Sequence, residues 1–162
     1  MITIRLVTPD DFDTIDQIVA AAFGREAEAK LVHALRAEAP VLELLAVEDD
    51  KPIGHIMFSR AWIEAEGRHS PAVQLAPLGV LPARQKSGAG KALVREGLAR
   101  LQAAGETHVF VLGHPAYYPR FGFAPEPAQA FESPWPRPAF MLRRLAPGGP
   151  ASGKLIVPEA FS

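Results

Sequence analysis

The stretch Val80-Leu81-Pro82-Ala83-Arg84-Gln85-Lys86-Ser87-Gly88-Ala89-Gly90-Lys91 decides the fold, because it leads from an apolar segment through two glycines into an amphipathic helix. Apolar residues recur every three or four positions over 88–103, which predicts that helix, and Gly105 is expected to end it. The N–H groups of a helix's first turn have no partner within the helix and carry partial positive charge. The stretch therefore predicts a loop that binds a phosphate-bearing ligand. Three basic side chains add positive charge there: Arg84, Lys86 and Lys91.

The spacing of the glycines excludes the two common nucleotide motifs. A P-loop requires glycine where Gln85 stands and a hydroxyl where Ala92 stands. A dinucleotide fingerprint beginning at Gly88 requires glycine or alanine where Leu93 stands. A nucleotide-binding module is therefore disfavoured.

The pattern that fits residues 85–90 is Q/R-x-x-G-x-G/A, and here the chain resembles the GNAT superfamily of acetyl-CoA-dependent acyltransferases. In that family the backbone amides of this loop hold the pyrophosphate of coenzyme A, which is a co-substrate. The resemblance implies a cofactor site along the preceding strand end and the loop. Its residues are Leu78, Gly79, Val80, Gln85, Lys86, Ser87, Gly88, Ala89, Gly90 and Lys91.

A second match lies some thirty residues further on, in Tyr118-Pro119-Arg120-Phe121-Gly122-Phe123. The family commonly carries Y-x-x-x-G-F after its fifth strand, here expected at about 107–112, and the tyrosine acts as general acid on the departing thiolate. The four-residue offset to Gly122 selects Tyr118 for that role rather than Tyr117, since adjacent residues are not expected to point the same way.

The whole run 75–123 resembles a bacterial subgroup of small stand-alone GNAT proteins with an H-P-x-Y-Y-P-x-F-G-F ending. The resemblance adds Phe121 to the predicted cofactor contacts. Where many relatives place an asparagine that contacts the pantetheine arm, this chain has His114-Pro115, so His114 is the candidate substitute.

Other elements follow from periodicity and from turn residues. Strands are predicted at 2–7, 41–48, 53–63, 72–80, 140–145 and 155–157, and helices at 10–23 and 26–38. The strand 53–63 is expected to be covered on both faces, and Gly79 is expected to mark a β-bulge. Ten of the sixteen prolines lie in the last 48 residues, so no helix is expected there. The resemblance implies an α/β (α+β) fold whose mixed, mostly antiparallel sheet is splayed at its centre and flanked by helices.

Length and composition narrow the class of protein. A chain of 162 residues suits one domain, so 1–162 is predicted to be a single acyltransferase domain. A net charge of −1 provides no electrostatic basis for binding nucleic acid or an anionic membrane. No apolar run is long enough to span a bilayer, and the first residues do not form a signal peptide. We expect a soluble cytoplasmic protein, a monomer or a homodimer.

The acceptor side carries a weaker signal. The proline-rich segment 125–138, which contains Phe131, Trp135 and Arg137, is long for a connection and is predicted to shape the acceptor pocket. Phe131 and Trp135 are expected to line or cover the acceptor side, with plain packing against the sheet as an equally good alternative. Candidate general bases are Glu26, Glu28, Glu64 and Glu66, with water as the alternative. His55 is expected to be a core histidine rather than a base. The five histidines lack metal-ligand spacing and the chain has no cysteine, so no metal site is predicted.

These features predict an enzyme that transfers an acetyl group from acetyl-CoA directly to an amine of a small molecule or peptide. The backbone of residues 78–80 is expected to donate to the thioester oxygen, and Tyr118 to protonate the coenzyme A sulfur. The alternative is a non-catalytic acyl-CoA-binding sensor or regulatory protein, which keeps the loop but lacks turnover.

Overall fold

Residues 1–136 and 138–162 are described in the computed structural model of the chain. They form eight strands: β1 (Ile2–Leu6), β2 (Pro40–Glu48), β3 (Lys51–Ala65), β4 (Arg68–Val80), β5 (His108–Leu112), β6 (Phe131–Glu132), β7 (Phe140–Arg144) and β8 (Gly153–Ile156). They also form four α-helices: α1 (Phe12–Phe23), α2 (Ala27–Glu38), α3 (Ala89–Ala103) and α4 (Pro125–Ala128). Every predicted strand and helix is present, with ends shifted by at most four residues.

The strands form one open, mostly antiparallel sheet in the order β1-β2-β3-β4-β5-β7, and β8 pairs with the far half of β3 and with β6. Only the β4–β5 and β6–β8 pairs are parallel among the described strands. The predicted mixed, mostly antiparallel sheet is confirmed.

Alternating side chains of the strands divide the core between the two faces of the sheet. Leu44 and Ala46 pack with α3, whereas Leu45 packs with α1 and α2. Residues 53–59 of β3 are all buried, so the predicted cover on both faces is confirmed for this part, whereas Trp62, also within the predicted range 53–63, is 41% exposed. The helices therefore lie on both sides of the sheet.

The ends of α1 follow from short-range chemistry. The Thr8 backbone N–H donates to the Asp11 carboxylate at 2.8 Å, and Pro9 to Asp11 form a 3₁₀ turn that leads into α1. The helix ends at Gly24, whose φ of +69° is the left-handed conformation that glycine adopts without strain. The predicted helix 10–23 is thus an α-helix preceded by a single 3₁₀ turn.

The β-bulge of β4 lies two residues before the position predicted for it. Ile56 pairs with Leu78 and Phe58 pairs with Leu75, so Ala76 and Pro77 stand opposite a single residue of β3. Proline has no N–H and cannot continue the ladder, which explains the position. Gly79 pairs regularly, and the prediction of a bulge at this glycine is wrong.

The space beside Gly79 explains its small size. A Cβ added there would lie 3.2 Å from the Ala22 Cβ of α1. Gly79 thus permits close packing of a helix on the strand, a second reason for glycine within a strand.

The C-terminal residues contain one short helix that the proline content had argued against. Prolines occupy the first and third positions of α4, where a backbone N–H has no helical partner to lose. Phe131 is buried in a cluster with Phe110, Phe140 and Leu142, and Trp135 packs against that cluster. Within the described ranges, no helix has the length and apolar character needed to cross a membrane.

Candidate active site

A cleft opens where two central strands separate. β4 and β5 pair only over Val73–Leu75 and Val109–Val111, although β4 continues to Val80 and β5 to Leu112. Beyond the last pair the two strands diverge around a cleft of about 1060 Å³, at the upper end of the size of ligand pockets. The splayed centre predicted for the sheet is therefore present.

One wall of the cleft is the loop 85–91, which we call the phosphate loop. Lys86 has φ +69° and Gly88 has φ +95°, so left-handed residues turn the backbone twice just before α3. Turns of this kind bring successive N–H groups to one concave side, and the start of α3 adds its own unpaired N–H groups. A Cβ at Gly88 would meet nothing within 4 Å, so glycine is needed here for its conformation and not for lack of space.

Another part of the cleft wall is made by Tyr117, Tyr118 and Arg120, from the turn Tyr118–Phe121 and the residue before it. The rings of Tyr117 and Tyr118 meet edge to face with centroids 5.1 Å apart, and both line the cleft. The expectation that only one of two adjacent tyrosines faces the site is therefore wrong: the 3₁₀ turn begins between them and brings both rings to one side.

The two tyrosines differ in depth. Tyr118 is 8% exposed and packs on Gly113 at the end of β5, whereas Tyr117 is half-buried with its hydroxyl over the first turn of α3. A Cβ added to Gly90 would lie 2.9 Å from that hydroxyl. Burial raises the pKa of both phenols, more strongly for Tyr118, so both carry their proton at neutral pH.

Most of the predicted cofactor contacts lie together on the cleft wall. These are Leu78, Val80, Gln85, Lys86, Ser87, Gly88, Gly90, Lys91 and His114, together with Tyr118.

Three predicted contacts do not line the cleft. Gly79 faces α1, and Ala89 is buried beneath the first turn of α3. Phe121 is also buried, with its ring centroid 5.3 Å from that of Tyr117. These three residues pack beneath the residues that line the cleft.

Of the four candidate bases, only Glu28 lines the cleft. Arg25 donates two hydrogen bonds to its carboxylate, at 2.8 and 2.6 Å, and lowers the pKa of Glu28. Glu64 lies near the β3–β4 turn, where it contacts His69. Neither it nor Glu26 or Glu66 belongs to the cleft wall.

His55 is a core residue, as predicted. Its side chain is fully buried, and its Nε2 lies 2.7 Å from a Glu43 carboxylate oxygen. Burial alone would raise the pKa of Glu43, but hydrogen bonds from His55 and Arg36 outweigh it and lower that pKa to about 2. The ionised Glu43 therefore belongs to a buried polar group under α2 and not to the cleft.

Phe131 and Trp135, predicted either to line the acceptor side or to pack against the sheet, pack against the sheet. Phe131 and Trp135 lie in a core cluster and do not line the cleft, and Arg137 lies outside the described residues. The cleft is lined instead by Phe23, at the end of α1, and Leu31, on α2. The sequence signal for the first of these is a phenylalanine directly before Gly24, which ends α1.

Comparisons with known sequences agree with this geometry. The family model described as an acetyltransferase (GNAT) domain matches residues 3–125. The uncharacterized N-acetyltransferase YjhQ of Escherichia coli K12 is 40% identical over 141 residues, covering 84% of this chain and 77% of that protein. The uncharacterized N-acetyltransferase YhbS of the same strain is 37% identical over 147 residues, covering 88% of this chain and 87% of that protein.

Solved structures extend the match to the whole fold. A GNAT family acetyltransferase from Brucella melitensis, in complex with acetyl-CoA, is 36% identical with a TM-score of 0.83, covering 100% of this chain and 99% of that one. Escherichia coli YhbS in complex with CoA is 34% identical with a TM-score of 0.87, covering 99% of this chain and 91% of that one. The chain belongs to the GNAT family of N-acetyltransferases.

Proposed function

We propose that this enzyme transfers an acetyl group from acetyl-CoA directly to the amine of a small molecule or peptide. The observation that carries the proposal is the single cleft that joins the phosphate loop, the open edges of β4 and β5, and a buried, protonated tyrosine. We further propose that residues 1–162 form one acyltransferase domain that acts in the cytoplasm.

The phosphate loop suits the diphosphate of coenzyme A. Backbone N–H groups around Gly88 and the first turn of α3 are positioned to donate to phosphate oxygens, and Lys86 and Lys91 supply charge beside them. The pantetheine arm then runs between the diverging strands, where the backbone of Leu78 and the Val80 N–H no longer face β5 and are available to its amides, while the Val80 carbonyl accepts from Gln85 Nε2 at 3.4 Å. His114, on the other side of the cleft, is the side chain that we assign to this arm.

The chemistry follows from the groups around the thioester, which are the backbone of residues 78–80 and the Tyr118 hydroxyl. The neutral acceptor nitrogen attacks the thioester carbonyl carbon, and backbone N–H groups of 78–80 donate to the carbonyl oxygen as it gains charge. The carbon–sulfur bond then breaks, the sulfur takes the Tyr118 hydroxyl proton, and the nitrogen loses a proton to water, from which the Tyr118 oxygen regains a proton. The acetylated amine and coenzyme A are the products.

We place the acceptor against Phe23, Glu28 and Leu31, because these side chains line the same cleft and come from helices rather than from the phosphate loop. Two are apolar, and the carboxylate of the third is already neutralised by Arg25. This wall suits an acceptor with an apolar group next to its amine.

A panel of primary amines, amino acids, peptides and aminoglycoside antibiotics, assayed for release of the coenzyme A thiol, tests the proposal. Release above the acetyl-CoA hydrolysis rate with at least one acceptor class, reduced in Tyr118→Phe, is the expected result. Failure of the wild-type protein to bind acetyl-CoA would refute the proposal.

The pairing of Glu28 with Arg25 favours a second candidate, a non-catalytic acyl-CoA sensor, since it leaves no unpaired carboxylate among the described residues of the cleft wall. Tight binding of acetyl-CoA without thiol release for any acceptor in the panel would favour this alternative.

A further inference from the structure

The described residues of the cleft wall include four cations, and they differ in how they are neutralised. Arg84 is paired with Glu48 at the end of β2. Lys86, Lys91 and Arg120 have no carboxylate within ion-pair distance among the described residues. The cleft thus keeps an excess of positive charge that folding has not neutralised, a condition that attracts an anionic ligand.

Arg120 is the one of these three whose head group is held in place. Its Nε donates to the Tyr117 carbonyl at 2.9 Å, and its Nη2 lies 3.5 Å from the Ala116 carbonyl. The guanidinium also stacks on the Tyr117 ring, 4.7 Å from the ring centroid. An arginine fixed in this way loses less side-chain entropy on binding a ligand than a mobile lysine does.

The position of Tyr117 connects Arg120 to the phosphate loop. The Tyr117 hydroxyl lies over Gly90, in the first turn of α3, and the same ring carries the Arg120 guanidinium. Within the described residues Nη1 makes no hydrogen bond, so the outer edge of the guanidinium is available to a ligand in the cleft. Two N–H groups in one plane match two oxygens of a phosphate.

We propose that Arg120 binds a phosphate group of coenzyme A beside the phosphate loop and thereby determines specificity for the phosphorylated cofactor. This inference rests on the proposed function, since it assumes that coenzyme A occupies the cleft. Coenzyme A offers two sources of the same chemistry, its diphosphate and its 3′-phosphomonoester. Comparison of coenzyme A with 3′-dephospho-coenzyme A separates them.

The test is calorimetric binding of both ligands to the wild-type protein, Arg120→Ala and Arg95→Ala, at an ionic strength of about 0.15 M to screen long-range charge. Arg95 is the matched control, because it is an exposed arginine whose guanidinium lies over the neighbouring Phe121 ring, 5.8 Å from its centroid, but does not line the cleft. Arg120→Gln is measured in parallel, since glutamine keeps a donor for the Tyr117 carbonyl, and thermal melting establishes that each variant is folded.

We expect Arg120→Ala and Arg120→Gln to weaken coenzyme A binding by about 10-fold, the loss typical of a charge-assisted hydrogen bond at a partly exposed site, and Arg95→Ala by less than about 2-fold. A loss seen with coenzyme A but not with the dephospho ligand assigns Arg120 to the 3′-phosphate, and an equal loss with both assigns it to the diphosphate. Wild-type affinity in folded Arg120 variants, or an equal loss in Arg95→Ala, overturns the inference and leaves the proposed function intact. A wild-type protein that binds neither ligand overturns both.

Discussion

The chemistry of the site depends on which of two adjacent hydroxyls reaches the sulfur. Tyr118 is the more deeply buried of the pair, and its raised pKa keeps the phenol protonated at neutral pH. A protonated phenol beside the sulfur can donate to it as negative charge develops during cleavage of the thioester. Tyr117, by contrast, places its hydroxyl over Gly90 of the phosphate loop.

Tyr118→Phe is therefore expected to lower kcat by about 100-fold while leaving acetyl-CoA affinity unchanged, since general acids contribute about 10²- to 10⁴-fold and a thiol is a good leaving group. Tyr117→Phe, which removes the neighbouring hydroxyl and keeps the ring, is the matched control and should cost little in kcat. Steady-state kinetics over a range of pH on one accepted amine measures both. A large loss in Tyr117→Phe alone would reverse the assignment.

Gly88 provides a second test at the level of one residue. Valine at φ +95° is strained and carries a side chain into the space before α3, so Gly88→Val should abolish most of the coenzyme A affinity and lower stability by about 1–2 kcal/mol. Gly105, at the other end of α3, has φ +88° and equally open surroundings. Gly105→Val should lose similar stability with unchanged affinity, which calorimetry and urea unfolding measure together. Equal coenzyme A affinity in the two variants would show that the phosphates of coenzyme A do not bind at this loop.

At the level of elements, the sequence predicts what is encoded locally. The phosphate loop with α3, and the tyrosine turn before Gly122, are continuous segments whose spacing carries their chemistry, so both are found without the structure. Phe23 and Leu31 reach the cleft only because α1 and α2 pack across the sheet, a long-range contact that no local pattern reports. The segment around Trp135 shows the same limit: its length leaves a functional role and a packing role open, and the face of the sheet that it covers favours the packing role.

Because Trp135 packs in a core cluster and Leu31 lines the cleft, replacing each side chain by alanine should have opposite effects on stability and on the acceptor KM. Trp135→Ala removes a half-buried ring that packs on Phe140 and Phe161, so it should lower the free energy of unfolding by about 2–3 kcal/mol without changing the acceptor KM. Leu31→Ala should raise the acceptor KM several-fold with a smaller loss of stability. Urea unfolding and substrate titration of both variants measure the contrast, which a raised KM in Trp135→Ala alone would contradict.

For the whole molecule, His108 couples stability to pH. It is buried beside Phe110 and Phe131, with Nε2 donating to the Pro150 carbonyl at 2.9 Å and Nδ1 accepting from the Thr107 hydroxyl at 2.7 Å. Burial lowers the pKa of His108 in the folded state, so protons bind more tightly to the unfolded chain. The stability it contributes is complete above the unfolded value of about 6.5 and is lost as the pH falls through the folded-state pKa.

Urea unfolding of the wild-type protein between pH 8 and pH 5 should therefore show stability falling on the acid side. His108→Gln, which keeps a donor for Pro150 but does not titrate, should flatten that decline. Parallel pH curves for the two proteins would exclude His108 as a source of the pH dependence.

The three-residue contact between β4 and β5 has a mechanical consequence. Among the described residues these pairs are the only backbone ladder between two parts of the sheet: β5 and β7 on one side, and β1 to β4 with β8 and β6 on the other. The two parts are therefore joined by few backbone hydrogen bonds at the centre of the molecule. A ligand that lies along both diverging strands contacts both parts of the sheet. Its binding free energy therefore stabilises the folded arrangement of the two parts. Amide hydrogen exchange at 76–80 and 112–113 should slow when acetyl-CoA binds, while the hairpin at 64–69 remains unchanged. Acetyl-CoA bound as proposed would therefore hold together the two parts of the sheet between which it reacts.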